Sequence, residues 1–371
     1  MVQLRHLGWN INPVVERSDS AAPLTARIEL LRRAGRELAY AGADFILLSE
    51  PAPAYADLAG SAFSASLDPL TLAPLLFDAD GGIDVVTAIN PALYDPYLAA
   101  RQIAGLFHAS RGRAALYLQE DIDARTVAGA TRLQRVPLNH EEVRARTSEW
   151  LGAVRSLWSS WDDDAVVEDF ENHIYADHRR IHRIDVDGEY FRLIGPAETL
   201  PFPDGAPLVF ASAYRAGVLN RPAIEGADVL SVASPTLAGL AAAEAAIRDA
   251  LAAAGRIHVP VLAVLTVLPV DAAPDGLLPF ADAGAPGESP GTASGVRGRW
   301  ADAVVPVDAL VERVADLAAA APFDGLLLNQ SIDRRTLNRV VDEVVPDLRA
   351  AGLLAGPRTG TLRDRLALGK V

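Results

Sequence analysis

The side chains able to do chemistry in this 371-residue chain are carboxylates, imidazoles, hydroxyls and neutral amides; there is no cysteine. Disulfides, thiolate metal sites and cysteine nucleophiles are therefore excluded. Glu50 follows one apolar run (FILLSE) and Glu120 another (ALYLQE). Two carboxylates at the ends of strand-like runs are the equipment for general acid–base work, as in a hydrolase or isomerase. His178 and His182 stand four residues apart in HRRIH, a spacing that on a helix would put both imidazoles on one face and could hold a metal. The segment lacks the glutamate of a zincin, and its two arginines oppose a cation, so a basic surface turn is the expectation. There is no Gly-x-Gly-x-x-Gly, no P-loop and no Gly-x-Ser-x-Gly elbow.

The elements that must position these groups are short apolar runs alternating with alanine-rich helical patterns. Strands are expected at Leu4–Ile11, Asp44–Leu48, Ile83–Ile89, Ala114–Leu118, Leu208–Ala211, Asp228–Val232, Val259–Leu268 and Asp324–Asn329. Continuously apolar strands with helices between them are the signature of a parallel sheet covered on both faces. Eight such strands fit a (β/α)₈ barrel better than an open doubly wound sheet, and in a barrel the ends of the strands carry the site. Those ends hold Trp9 and Asn10, Ser231 and Ser234, Thr266, and Asn329 with Gln330. Asp187-Gly188 between strand-like runs predicts a hairpin with a two-residue turn before the fifth strand. Residues 269–300, rich in Gly, Pro, Ala and Asp, follow the seventh strand as a long loop, read either as a lid over the catalytic face or as an inert surface loop.

Lys and Arg number 34 against 48 Asp and Glu, a net charge of −14. A chain this acidic repels nucleic-acid phosphates and anionic lipid, so the expected partner is a small molecule, with no nucleic acid and no membrane. MVQLRHLGWN lacks a charged-then-apolar signal pattern, and runs such as Val259–Val270 contain proline and are short for a membrane span. A soluble cytoplasmic protein is expected.

Several pieces then occur in a telling order: AGADFILL (Ala41–Leu48), DPYLAAR (Asp95–Arg101), FHASRGR (Phe107–Arg113), LWSSW (Leu157–Trp161), IDVDGEYFRLIGP, AYRAG, and the C-terminal VVDEVVPDLRAAGL with TLRDRL. Together they resemble the bacterial-luciferase-like flavin-dependent monooxygenases, in the branch that includes nitrilotriacetate and dibenzothiophene-sulfone monooxygenases. The resemblance implies one luciferase-like (β/α)₈ TIM barrel over residues 1–371, usually a homodimer. It implies FMN, arriving as FMNH2 from a separate flavin reductase, with deazaflavin F420 used only occasionally. It also implies O2 and a small organic substrate, oxidised through a hydroperoxide at flavin C4a. Such an adduct must be kept from water, and the cofactor rather than a protein base carries the chemistry.

Carried over position by position, the resemblance implies a cofactor-binding set of Glu50, Asn90, His140, Arg144, Ser212, Tyr214 and Arg215. Glu50 matches the acid after the second strand, and Asn90 the hydroxyl cluster after the third. His140 and Arg144 match a His and a Tyr that open a long helix. Ser212, Tyr214 and Arg215 surround the serines after the fifth strand. The family's Trp-Asn pair in strand four is Leu116-Tyr117 here, and the hydroxyls after it are Glu120-Asp121. Arg144 and Arg215 suit a phosphate bidentately; Glu120 and Asp121 repel one if they point inward. The substrate pocket is expected from Trp9, Asn10, Tyr117 and Asn329, with no metal. The altered hydroxyl set keeps open an alternative: a divergent barrel that binds flavin or another small ligand without oxygenation.

Overall fold

The computed structural model describes residues 3–11, 14–15, 24–49, 65–77, 82–120, 140–215, 217–268, 303–330 and 334–368. Eight parallel strands carry the fold: β1 (His6–Ile11), β2 (Phe45–Leu48), β3 (Asp84–Ile89), β4 (Ala114–Leu118), β5 (Val209–Ser212), β6 (Val229–Val232), β7 (Val261–Leu268) and β8 (Gly325–Gln330). Each pairs with the next, and β8 pairs back onto β1, so the sheet closes into a barrel. Every expected strand is present with its ends moved by a residue or two. A further strand, Ala303–Pro306, adds in parallel to the late part of β7 and was not foreseen.

Closure divides each strand between two environments. One set of side chains, including Leu7, Trp9, Ile11, Ile46 and Leu116, packs outward against the helices. The alternate set, including Phe45, Leu47, Val86, Phe210, Val264 and Leu327, fills the lumen. Phe45 and Phe210 meet edge to face with centroids 5.0 Å apart. A Cβ on Gly8 would lie 2.2 Å from Phe45 Cζ, so β1 needs glycine where that ring crosses it. Each large side chain buried in these layers contributes about 1.5–3 kcal/mol.

Helices form where capping and apolar spacing agree. α1 (Leu24–Tyr40) buries Leu31, Ala34 and Leu38 on one face. α2 (Pro96–Ala109) starts at Asp95, whose carboxylate accepts from Tyr97 and Leu98 N–H, with Pro96 in the first turn. α3 (His140–Trp158), α4 (Arg221–Gly226), α5 (Leu237–Ala253, capped by Thr236), α6 (Leu310–Ala320) and α7 (334–350, with a π turn at Val340–Val344) continue the shell. The last element, α8 (Leu362–Arg365), begins with a Thr361–Asp364 capping box. No described helix is long and apolar enough to cross a membrane.

The hairpin before β5 is present, but its turn falls two residues later than expected. Asp187 pairs with Arg192, and Gly188 N–H donates to Phe191 O (3.0 Å), so Glu189 and Tyr190 make the turn rather than Asp187-Gly188. The cause is Glu149 on α3. Its carboxylate accepts the backbone N–H groups of Glu189, Tyr190 and Phe191 at 2.7–3.2 Å, fixing the turn around an anion. A second exposed ribbon, Val166–Asp169 with Ile174–Ala176, precedes it. The candidate lid at 269–300 lies outside the described residues.

The floor of the barrel is ionic. Asp44, Asp228 and Asp324 each precede a strand, and each clamps the first residues of a neighbour at two points. The Asp N–H donates to the carbonyl of Leu7, Val209 or Val261 (2.7, 2.6 and 3.0 Å). The Asp carboxylate accepts the N–H of that same residue (2.9, 2.8 and 2.9 Å). Each carboxylate then meets an arginine: Asp44 meets Arg365 (3.1 Å), Asp228 meets Arg155 (3.2 Å) and Asp324 meets Arg248 (2.6 Å). Arg365 also reaches Asp84 Oδ2 at 2.6 Å, while Leu362 and Leu366 beside it pack into the lumen cluster from below. Burial raises the Asp84 carboxyl to about 6, against the pull of Arg365. His6 is buried, and its Nδ1 accepts from Arg358 at 2.6 Å. Burial first, then the Arg358 charge, lowers the His6 pKa to about 3.

Arg365→Ala leaves two buried carboxylates without their cation and is expected to lower unfolding free energy by about 3–5 kcal/mol in urea titrations. A stability near that of wild type would show that α8 is not the floor's clamp. His6 titrates at about 6.5 when unfolded and about 3 when folded. Its contribution is therefore complete above pH 6.5 and lost as pH falls toward 3. Asp84 works in the opposite sense, so the variant must be compared with wild type at each pH. His6→Gln should lose less stability than wild type between pH 7 and pH 4.5; equal losses would contradict the assignment.

Candidate functional site

Above the apolar layer, the lumen-facing side chains near the C-terminal ends of β1, β4, β6, β7 and β8 turn polar and neutral, while Glu120, just past β4, is a carboxylate. Asn10 on β1, Asn329 on β8 and Thr266 on β7 stand at one register level. Asn10 Nδ2 donates to Asn329 Oδ1 (3.3 Å), and Asn329 Nδ2 donates to Thr266 Oγ1 (3.3 Å). Asn10 Oδ1 is buried and has no hydrogen-bond partner among the described residues. Across the lumen, Tyr117 on β4 places its Oη 3.3 Å from Ser231 Oγ on β6, and Ser231 directs its own proton to Ala211 O (3.4 Å). Tyr117 packs against the lumen cluster. Three of the four expected pocket residues, Asn10, Tyr117 and Asn329, thus come together on the lumen side.

Trp9 does not join them. It is 2% exposed and belongs to the layer between strands and helices, because it alternates with lumen-facing Gly8 and Asn10. Its expected place in the pocket wall is corrected to core.

The expected cofactor ligands fall into three groups. Asn90 lies just past β3, buried, with Oδ1 accepting from Ala92 N–H (3.0 Å) in a local turn. Ser212 ends β5, and its Oγ donates to Tyr214 O (2.8 Å). Tyr214 and Arg215 form a short strand against Val218–Leu219, and burial raises the Tyr214 pKa. His140 is the first residue of α3 and Arg215 lies in that short strand, but their side chains are outside the described residues, as is Glu50 entirely. Arg144 is half-buried on the first turns of α3 and makes no ion pair among the described residues. It precedes Arg155 by eleven residues, which returns it to the same helix face about 16 Å higher. Arg155 contacts Gly226 O and Asp228 at the low end of α4. Arg144 therefore stands at rim level on the side of α4 and the 212–220 turn.

One pair was missed by sequence reasoning. Asn220 precedes α4 as its N-cap, yet its side chain makes no capping bond. Instead Nδ2 donates to Glu120 Oε2 (2.6 Å) and to Ser212 O (3.1 Å), joining the end of β4 to the end of β5. Asn-Arg-Pro signals a helix start, but nothing in that signal points to Glu120. Of the two carboxylates expected for acid–base work, Glu120 is held by Asn220 and Glu50 lies outside the described residues. His178 and His182 do not share a helix face. The helical turn ends at Arg180, and His182 Nε2 meets Asp162 at 2.7 Å. Among the described residues no three metal-ligating side chains converge.

These groups fit a flavin. The isoalloxazine carries ring N–H donors and carbonyl acceptors and no charge in its oxidised form, which suits a neutral rim with an orphaned buried acceptor at Asn10. A phosphate suits the cation at Arg144.

Comparison with known proteins agrees. Residues 7–275 match the model of a family described as luciferase-like monooxygenase. The chain is 28% identical over 203 residues to dibenzothiophene-sulfone monooxygenase of Rhodococcus erythropolis, covering 53% of this chain and 43% of that protein. It is 30% identical over 192 residues to nitrilotriacetate monooxygenase component A of Aminobacter aminovorans, covering 51% and 41%. The chain thus aligns over less than half the length of either relative. A crystal structure of a riboflavin lyase with modified FMN and substrate riboflavin superposes with a TM-score of 0.77 at 22% identity, covering 98% of this chain and 96% of that one.

Trp9→Ala is expected to lower stability by about 3–5 kcal/mol, as a core truncation, in denaturant unfolding. A loss below about 1 kcal/mol would return Trp9 to the pocket wall.

Proposed function

The chain belongs to the luciferase-like monooxygenase family, and from that membership we propose that it is the oxygenating component of a two-component flavin-dependent monooxygenase. It takes FMNH2 from a separate flavin reductase, uses O2, and oxidises a small organic substrate, working as a cytoplasmic homodimer. The observation that carries the reading is the lumen: a packed apolar layer below and, among the described residues at its top, the neutral groups Asn10, Tyr117, Ser231, Thr266 and Asn329. None of those is a general base at neutral pH. That arrangement suits a reaction in which the bound cofactor carries the chemistry and the protein excludes water and orients the reactants.

Bound reduced flavin would supply the electrons that activate oxygen. The chain's own residues have separable tasks. Phe45, Phe210 and the surrounding apolar layer bar water from below. Asn10, held by Asn329, would offer its carbonyl oxygen, unpartnered among the described residues, to a ring N–H. Tyr117, steadied by Ser231, faces the substrate space. Arg144, with His140 and Arg215, would receive the phosphate, and Ser212 and Tyr214 would shape the turn beside it. Glu50 and Asn90 complete the set at the second and third strands.

Purified protein should bind both oxidised and reduced FMN, and should consume oxygen when a flavin reductase and NADH are added with substrate. Arg144→Ala should weaken FMN about tenfold or more, the scale of one charge-assisted bond, and leave riboflavin unchanged. Binding of neither flavin state would sink the proposal. FMN binding without oxygen transfer would favour the divergent ligand-binding barrel.

A further inference from the structure

We propose that Glu149 is a positioning residue for the flavin phosphate: by holding the hairpin turn it fixes the upper half of α3, and with it Arg144; this rests on the flavin reading above. α3 is held unevenly along its length. Its lower half buries Trp150, Leu151, Val154, Leu157 and Trp158 in the core. Between Glu141 and Glu149 the only large apolar side chain buried is Val143. The hairpin formed by Asp185–Asp187 and Arg192–Ile194 grips this half instead. Glu149 Oε1 accepts from Phe191 N–H (2.7 Å) and Tyr190 N–H (3.0 Å), and Oε2 accepts from Glu189 N–H (3.1 Å). These bonds are charge-assisted and stronger than neutral ones. One turn higher, the Arg146 guanidinium lies over the Phe191 ring, 5.1 Å from its centroid.

The hairpin can bear on the helix because its base is anchored separately. Ala197 N–H donates to Ser160 Oγ (3.1 Å), and Trp161 Nε1 donates to Ala197 O (2.9 Å), just past the end of α3. From Ser160 back to Glu149 is about 16 Å along the helix. The hairpin is thus a strut, fixed at the foot of α3 and clamped to its upper half by one carboxylate. Arg144 precedes Arg146 by two residues, about 200° round the helix, so it stands on the side away from the hairpin. Glu149 has its carboxylate engaged by the turn, so it acts on a phosphate at Arg144 only through the helix. A bidentate arginine contact depends on orientation, and a shift of about 1 Å in these first turns is enough to weaken it. Gly188 makes the grip possible. A Cβ there would sit 2.0 Å from Glu149 Oε1. Gly188 does not adopt a left-handed backbone, so this close approach is what requires glycine.

The test titrates FMN and riboflavin by fluorescence quenching into wild type, Glu149→Ala, Gly188→Ala and the double variant, with a thermal melt for each. Gly188→Ala expels the carboxylate from the turn without altering α3, and it carries the test if Glu149→Ala does not fold. Each single variant should weaken FMN about three- to tenfold and leave riboflavin unchanged. The double variant should lose no more than either single one, because both remove the same clamp. In an Arg144→Ala background, Glu149→Ala should weaken FMN no further. Equal losses for FMN and riboflavin would mark a general loosening and overturn the proposal. So would additive losses in either combination. FMN affinity that ignores both single variants would overturn it too, while leaving the flavin reading intact. Failure of wild type to bind FMN would overturn both.

Discussion

The structure depends on how the first residues of each strand are satisfied. A closed parallel barrel removes edges along its length but leaves backbone groups at its floor, where strands begin out of register with their neighbours. Here a buried aspartate just before a strand completes the ladder: its own N–H and its carboxylate bracket the same residue of the adjacent strand. A buried carboxylate is costly unless paired, so each clamp requires a cation, and the arginines come from α3, α5 and α8. The helical shell and the C-terminal turn are thus tied to the barrel through its floor. Hydrophobic burial supplies most of the stability, but these clamps fix which strand starts beside which.

Placing the charges at the floor frees the other end. On β1, His6 and Asn10 share the lumen parity four residues apart. His6 is locked neutral against Arg358, whereas Asn10 keeps an acceptor without a partner among the described residues. The same strand is tied down by a charge-assisted bond at the floor and leaves an acceptor open near the rim. This is the polarity of barrel enzymes in general, in which the C-terminal face hosts chemistry. The neutral rim adds a further constraint. With no charge among Asn10, Tyr117, Ser231, Thr266 and Asn329, that end of the lumen imposes little electrostatic work on an uncharged ring.

Much of this was legible in sequence. Continuous apolar runs identified all eight barrel strands, because a strand buried on both faces has no alternation to obscure it. The floor was partly on view: Ala43-Asp44, Ile83-Asp84, Ala227-Asp228 and Phe323-Asp324 each put an aspartate just ahead of an apolar run. Read singly they are turn residues; only the fold shows that three of them clamp backbone. Trp9 was misplaced because a fully buried strand gives no periodic cue to which side is lumen. The Asp187-Gly188 turn was misread because Glu149, some forty residues away, overrides the local preference. Asn220 could not be assigned from spacing, since its partner is a hundred positions distant.

Asn220 also shows why local rules fail where they do. An asparagine before a helix normally accepts an N–H of the first turn, worth about 1 kcal/mol. This one forgoes that bond and leaves its carbonyl oxygen buried without a partner among the described residues, a second penalty of about 1–3 kcal/mol. Stability alone offers no reason to keep both losses, and either serine or aspartate would restore the cap. What the arrangement gains is a carboxylate held in one place at the junction of β4 and β5. Departures from local optimum cluster at functional sites because those positions answer to a ligand rather than to the fold.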